Sequence, residues 1–318
     1  MNLHGIFPAK RREQIMQTKE NSEKTGWDHE FPKGTIKYRM TNDFMFKKIF
    51  QQNKRALKGL LCALLDMKLE EIRTVKVLNP IEEGDVVNDK AVILDLLLEL
   101  NDNRIIDIEM QVEDEGNWEE RSLVYLSREF DQLHKGEIYE NVKKTIHIGI
   151  LDFTPKGFPE KLYMDYYFYH YNTGHKYSDK MSIRVLQLNQ LGKKEDEEKM
   201  PDLYHWAQLF KATSWEEMRM LAKENEEIKE CVVTLKELSA DERARMQYEA
   251  RLDYQRRLKG AEFHGMEKGI EKGIEKNLVY TVDNAMRNLN LTLEQACTAL
   301  GVTLEAYQTA KENQEILA

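Results

Sequence analysis

The run from Ala91 to Gln111, AVILDLLLELNDNRIIDIEMQ, constrains the fold more tightly than any other stretch. It reads as two strands around a tight turn at Asp102-Asn103, with acids set inside apolar runs. Ala91 to Leu100 is mostly apolar on both faces, the pattern of a central strand covered from both sides. From Ile105 to Val112 the alternation is strict. Ile106, Ile108, Met110 and Val112 share one face, and Asp107, Glu109 and Gln111 share the other. A lone carboxylate among buried leucines is costly unless a cation or hydrogen bonds offset its desolvation, so Asp95 needs a partner. Antiparallel pairing about the turn brings Asp95 and Glu109 together. Two carboxylates with a backbone carbonyl, here that of Met110, suit Mg²⁺ or Mn²⁺. Gln111, on the face of Glu109, offers a donor and an acceptor to a water. Spacing alone fits a solvent-exposed acid pair about as well.

The flanking segments supply layers for such a hairpin. Thr41-Asn42-Asp43 is a helix-start signal ahead of Phe44, Phe46, Ile49 and Phe50. Leu57, Leu60, Leu61, Leu64 and Leu65 form an apolar stripe at helical spacing. Ile72 to Leu78 alternates as a short strand, and residues 81–89 are acidic and loop-like. After the hairpin, Asn117 and Glu120 have capping-box spacing, and Gly136 marks a helix stop. Leu123, Leu126, Phe130 and Leu133 are the expected buried stripe of that helix, and Arg121, Tyr125, Arg128 and Gln132 another face. Strands are expected at Thr145 to Phe153, Leu162 to Tyr171 and Ile183 to Leu188. Lys47 and Lys48 read as surface charges. His134, His147, His170 and His175 lack ligand spacing, and those in strands read as structural.

Composition narrows the class. With 318 residues, 41% apolar and 32% charged, the chain can bury a sizeable core. A net charge of −9 argues against coating nucleic acid over the whole surface, but allows a local basic groove or metal-mediated phosphate contact. Cys62, Cys231 and Cys297 are far apart, with no CxxC pattern, so neither a zinc site nor a disulfide framework is expected, and a cytoplasmic setting is the simplest. No apolar run approaches the length needed to span a membrane. Residues 1–35, which include Lys10-Arg11-Arg12, read as a flexible arm. Residues 265–276 repeat as GMEK, GIEK, GIEK, a solvated helix or linker, or a helix that pairs with a second copy through Ile270 and Ile274. Leu293 to Ala306 has helix–turn–helix character.

Three blocks taken together, TNDFMFKKIF, ILDLLLELNDNRIIDIEMQ and RSLVYLSREFDQLHKGEIYENVKKTIHIGILDF, resemble the recombination-promoting nuclease/transposase family of the PD-(D/E)XK nuclease superfamily. The resemblance covers roughly Tyr38 to Phe210, and the GIEKGIEK run is similar to tails common in that family. It implies an α/β fold: an αβββαβ core, a mixed central sheet flanked by helices, with a helical C-terminal extension. The implied division is an arm at 1–35, a nuclease-like domain at 36–212 and helices at 213–318.

By the same resemblance, Asp95 falls on the family's metal-binding aspartate, Glu109 on the (D/E) position and Gln111 on the position of the superfamily's lysine. Asp43 matches an acidic residue of the first helix. Arg121 and Tyr125 are accessory candidates: Arg121, Tyr125 and Arg128 share a face that either meets DNA phosphate or serves structure, with Arg128 paired to a nearby acid and Tyr125 filling the interface between sheet and helix. The expected activity is Mg²⁺- or Mn²⁺-dependent DNA endonuclease chemistry. The alternative is a catalytically weak or inactive nuclease fold acting as a DNA- or protein-binding module. A homo-oligomer through the C-terminal helices is a further expectation.

Overall fold

The computed structural model describes residues 31–81 and 96–316. Asp95, the loop-like residues 82–89 and nearly all of the predicted arm lie outside the described residues. Residues 31–35 are described and are tied down at both ends. Phe31 is buried beside Trp215, with ring centroids 6.2 Å apart, and Thr35 bridges Ser214.

Helix α1 (Asp43–Gln52) starts where Asn42 accepts from the Met45 amide. Asn53 ends it and caps α2 (Lys54–Leu65) by accepting from the Arg55 and Ala56 amides. Their apolar stripes, Phe44, Phe46, Ile49 and Phe50 with Leu57, Leu60, Leu61 and Leu64, are buried as the periodicity requires. Lys47, expected at the surface, is almost wholly buried at 1% exposure. An ammonium in a core is tolerated only with partners, and Lys47 has them.

Strands β1 (Val75–Val77), β2 (Leu96–Leu100) and β3 (Ile105–Gln111) form an antiparallel meander. The β2–β3 turn holds Asn103 at φ 62°, where a short polar side chain tolerates the left-handed region. Helix α3 (Trp118–Phe130) then carries the chain to β4 (Thr145–Leu151), which runs parallel to β3. A parallel partner requires such a crossover. Among the described residues the sheet is completed by β5 (Tyr163–Tyr169) and β6 (Lys176–Gln187), in the order β1-β2-β3-β4-β6-β5. The sequence α2–β1–β2–β3–α3–β4 is the expected αβββαβ core. Strand β6 starts well before the expected Ile183, because its polar first half is held by backbone pairing to β5.

Helix α3 differs from expectation in three ways. Asn117 precedes it without a side-chain cap, so the capping box with Glu120 is absent. It ends at Phe130, with Asp131 as the cap, so Gly136 lies in the following loop. Its buried positions are Trp118, Ser122 and Leu126, while Leu123 is half exposed. The side facing the sheet is therefore more polar than a stripe of leucines predicts.

The short helix α4 (Lys194–Lys199) leads to α5 (Pro201–Lys211), which starts with proline at its first position. Helices α6 (Trp215–Ala222) and α7 (Glu226–Ala240) follow, and α7 packs on α1 and α2. The aromatic core at this helical layer joins Phe46, Phe50, Trp206 and Phe210. That packing extends the first compact unit past residue 212, to Arg251.

A second unit runs from Leu252 to Ala318, and the boundary falls within the long helix α8 (Glu242–Leu289). Within that unit, α8, α9 (Leu293–Leu300) and α10 (Leu304–Ile316) share a small core of Val279, Val282, Ala296, Cys297, Tyr307 and Ala310. Gly301, at φ 66°, makes the left-handed stop between α9 and α10. Ile270 and Ile274 are exposed on α8. Among the described residues no helix is long and apolar enough to cross a membrane.

Candidate functional site

Register decides which side chains share a face. Asp107 of β3 pairs with His147 of β4, which pairs with Ile183 of β6, and Tyr166 of β5 continues the row. Two residues on, Glu109 pairs with Gly149. Asp107, Glu109, Gln111 and His147 therefore lie on one face, the face covered by α3. All four are at least nine-tenths buried. On these two strands the opposite face carries Ile106, Ile108, Ile146, Ile148 and Ile150, all buried.

Each polar group on the α3 face is held by named partners. His147 Nδ1 lies 2.8 Å from Asp107 Oδ2. Glu109 Oε1 is paired with Arg121 Nη2 at 2.5 Å, and the same guanidinium reaches Glu115 at 3.1 Å. His147 Nε2 and Glu109 Oε2 face each other at 4.0 Å, too far for a hydrogen bond. Neither has a hydrogen-bond partner, and neither reaches solvent. Gln111 Nε2 donates to the Glu113 carbonyl at 2.9 Å, and its Oε1 is buried without a partner. That donor contact fixes which end of the amide is the free one.

Electrostatically, Glu109 is the strained member. Burial pushes its carboxyl above the usual range. The Arg121 guanidinium and His147 pull it down, while Asp107 and Glu115 push it further up. One guanidinium does not fully offset the desolvation of this carboxylate.

Aromatic packing sets the geometry. The Trp118 ring lies 5.5 Å from His147 at 32°, and Tyr125 meets the same imidazole edge-on at 6.0 Å. Arg121 and Arg128 both sit over the Tyr125 ring, at 5.3 and 5.5 Å. Gly149 makes this approach possible, since a Cβ there would overlap the Trp118 ring at Cη2 and Cζ2. Gly149→Ala is thus expected to push α3 off the sheet and to cost about 1–3 kcal/mol of stability, measured by urea unfolding.

The residues picked from sequence are distributed as follows. Glu109, Gln111, Arg121 and Tyr125 come together between the sheet and α3. Arg121 is turned inward onto Glu109 rather than outward to solvent. Asp95 lies outside the described residues. Asp43 is engaged elsewhere: Arg251 holds it through Nε at 2.6 Å and Nη2 at 2.5 Å, and its other oxygen accepts from the Phe44 amide.

Asp107 and His147 are members that sequence reasoning passed over. The signal was present, because a histidine inside the apolar run TIHIGIL is as anomalous as the acids of β3, and Asp107 shares the Glu109 face. What was missing was the β3–β4 register that pairs them. Among the described residues, no group of three or more His, Cys, Asp or Glu is arranged to hold a metal ion.

The model of one protein family, described as the PD-(D/E)XK nuclease family transposases, matches residues 40–261. No curated protein and no solved structure matches the chain.

Proposed function

Because this chain belongs to the PD-(D/E)XK nuclease family transposases, we propose that it is a metal-dependent DNA endonuclease that hydrolyses phosphodiester bonds. Family membership itself carries a nuclease/transposase-like function. The finer reading rests on one observation: Glu109 Oε2 is a buried acceptor with no hydrogen-bond partner, on β3 opposite Gly149 of β4. A carboxylate oxygen left bare in a core calls for a cation or a donor.

Asp95 and Glu109 would hold the cation, Mg²⁺ or Mn²⁺. Asp95 immediately precedes Leu96, whose partner across the ladder is Ile108, and Glu109 immediately follows Ile108. When bound, such an ion lowers the pKa of a water and offsets charge on a phosphate. Gln111 acts as an acceptor in this reading, since its amide donor is committed to the Glu113 carbonyl. Its free Oε1 orients the attacking water by accepting a hydrogen bond from it. Arg121 holds Glu109 by its other oxygen, which leaves Oε2 for the ion. Tyr125 and Trp118 pack against the ring of His147, whose Nε2 faces this group.

Supercoiled plasmid tests the reading. The wild type is expected to nick or linearise it with Mg²⁺ or Mn²⁺, to stop in chelator, and to recover when metal returns. Asp95→Ala should remove the activity. Equal cleavage by the two proteins would remove Asp95 from the site. No cleavage by either protein under any metal would leave a nuclease fold that binds without turnover.

A further inference from the structure

We infer that His147 is a nitrogen ligand of the cation that Glu109 helps to hold, and that Asp107 is the carboxylate that orients it. The inference rests on the metal-dependent reading above and adds a residue to it. His147 Nδ1 is taken up by Asp107 Oδ2 at 2.8 Å, so Nε2 is the ring nitrogen left for a cation. Nε2 faces the bare Glu109 Oε2 across 4.0 Å, and both atoms are sealed from solvent without a hydrogen-bond partner.

Two unpartnered polar atoms facing each other in a core are unfavourable unless something positive or hydrogen-donating lies between them. Carboxylate, imidazole and metal in series is the arrangement by which proteins fix the tautomer and ring angle of a ligating histidine.

The surroundings lock this geometry. Trp118 and Tyr125 confine the ring from two directions, and the β3–β4 ladder fixes Asp107 opposite His147. Arg121 occupies only Glu109 Oε1. A nitrogen ligand beside oxygen ligands changes which ion is preferred. Mg²⁺ favours an all-oxygen shell, whereas Mn²⁺, Co²⁺ and Zn²⁺ gain from imidazole. The site should therefore bind Mn²⁺ more tightly than Mg²⁺.

The test uses untagged full-length protein loaded with Mn²⁺ and read by electron spin-echo modulation, with calorimetry alongside. The wild type is expected to show imidazole nitrogen coupling, which shifts to the ¹⁵N frequencies when histidine is ¹⁵N-labelled. His147→Asn keeps a donor for Asp107 but removes the distal nitrogen. It should abolish the coupling and weaken Mn²⁺ binding by on the order of 10–100-fold, with a smaller change for Mg²⁺. If the asparagine variant does not fold, His147→Gln replaces it in the same measurement.

Mn²⁺ binding without nitrogen coupling, or coupling that survives the loss of His147, would overturn this inference and leave the metal-dependent reading standing. No Mn²⁺ binding by the wild type at all would bring down that reading and this inference together.

Discussion

Glu109→Gln is expected to abolish metal-dependent DNA cleavage, by on the order of 10³-fold, while the protein stays folded. The size follows from the several kcal/mol of charge stabilisation that a bound cation contributes to such chemistry. Glutamine keeps the shape of the side chain but removes the anionic oxygen now bare at Oε2. The plasmid assay gives the rate, and a thermal or urea melt gives the stability.

The stability arm has its own direction. Burial raises the Glu109 carboxyl above its ordinary 4.5, so the native state holds that proton more tightly than the unfolded chain does. Below the ordinary value the group is protonated in both states and contributes nothing. As pH climbs from there through the raised value, the native state loses stability. The neutral amide has no proton to lose. In the absence of metal, Glu109→Gln should therefore match the wild type at acid pH and exceed it above that window. An inactive variant that is also less stable at neutral pH would contradict the assignment of Glu109 as a carboxylate held at a cost for function.

The second large effect is expected at Arg121. Its guanidinium is the close cation of a carboxylate that is only 4% exposed. Arg121→Ala removes that partner and leaves the charge buried, which costs about 3–5 kcal/mol. It also removes the contact to Glu115 and the packing over Tyr125. Part of the loss should vanish when Glu109 is already glutamine. The double variant is expected to be more stable than the sum of the two single changes predicts, by about 0.5–3 kcal/mol. Urea unfolding of the four proteins closes the cycle. Strict additivity would mean that the ion pair carries no coupling.

Much of this was legible before any coordinates. The hairpin from β2 to β3 could be read from alternation and from Asp102-Asn103, because strand parity and turn chemistry are local properties. The helix start at Asn42 is equally local and stands where the signal put it. Helix α3 was legible as a helix but not in its orientation. Leu123 is exposed, while Arg121 and Tyr125 face the sheet. Apolar periodicity assigns the inward side to leucines, and it fails where the sheet beneath carries acids and a histidine. Lys47 was misjudged for the same reason, since hydropathy places every lysine at the surface unless its partners are known.

By itself, then, the sequence determined that Glu109 and Gln111 stand on one face of a buried strand in a hairpin of this family. An alternation of two needs nothing but the chain's own covalent geometry. Only the tertiary structure decided what meets them there. Parallel pairing of β3 with β4 set Asp107 against His147 across 40 residues of chain. The missing side chain at Gly149 let α3 settle close enough for Arg121 to reach Glu109. Both are consequences of register and close packing between distant segments, which no local pattern encodes.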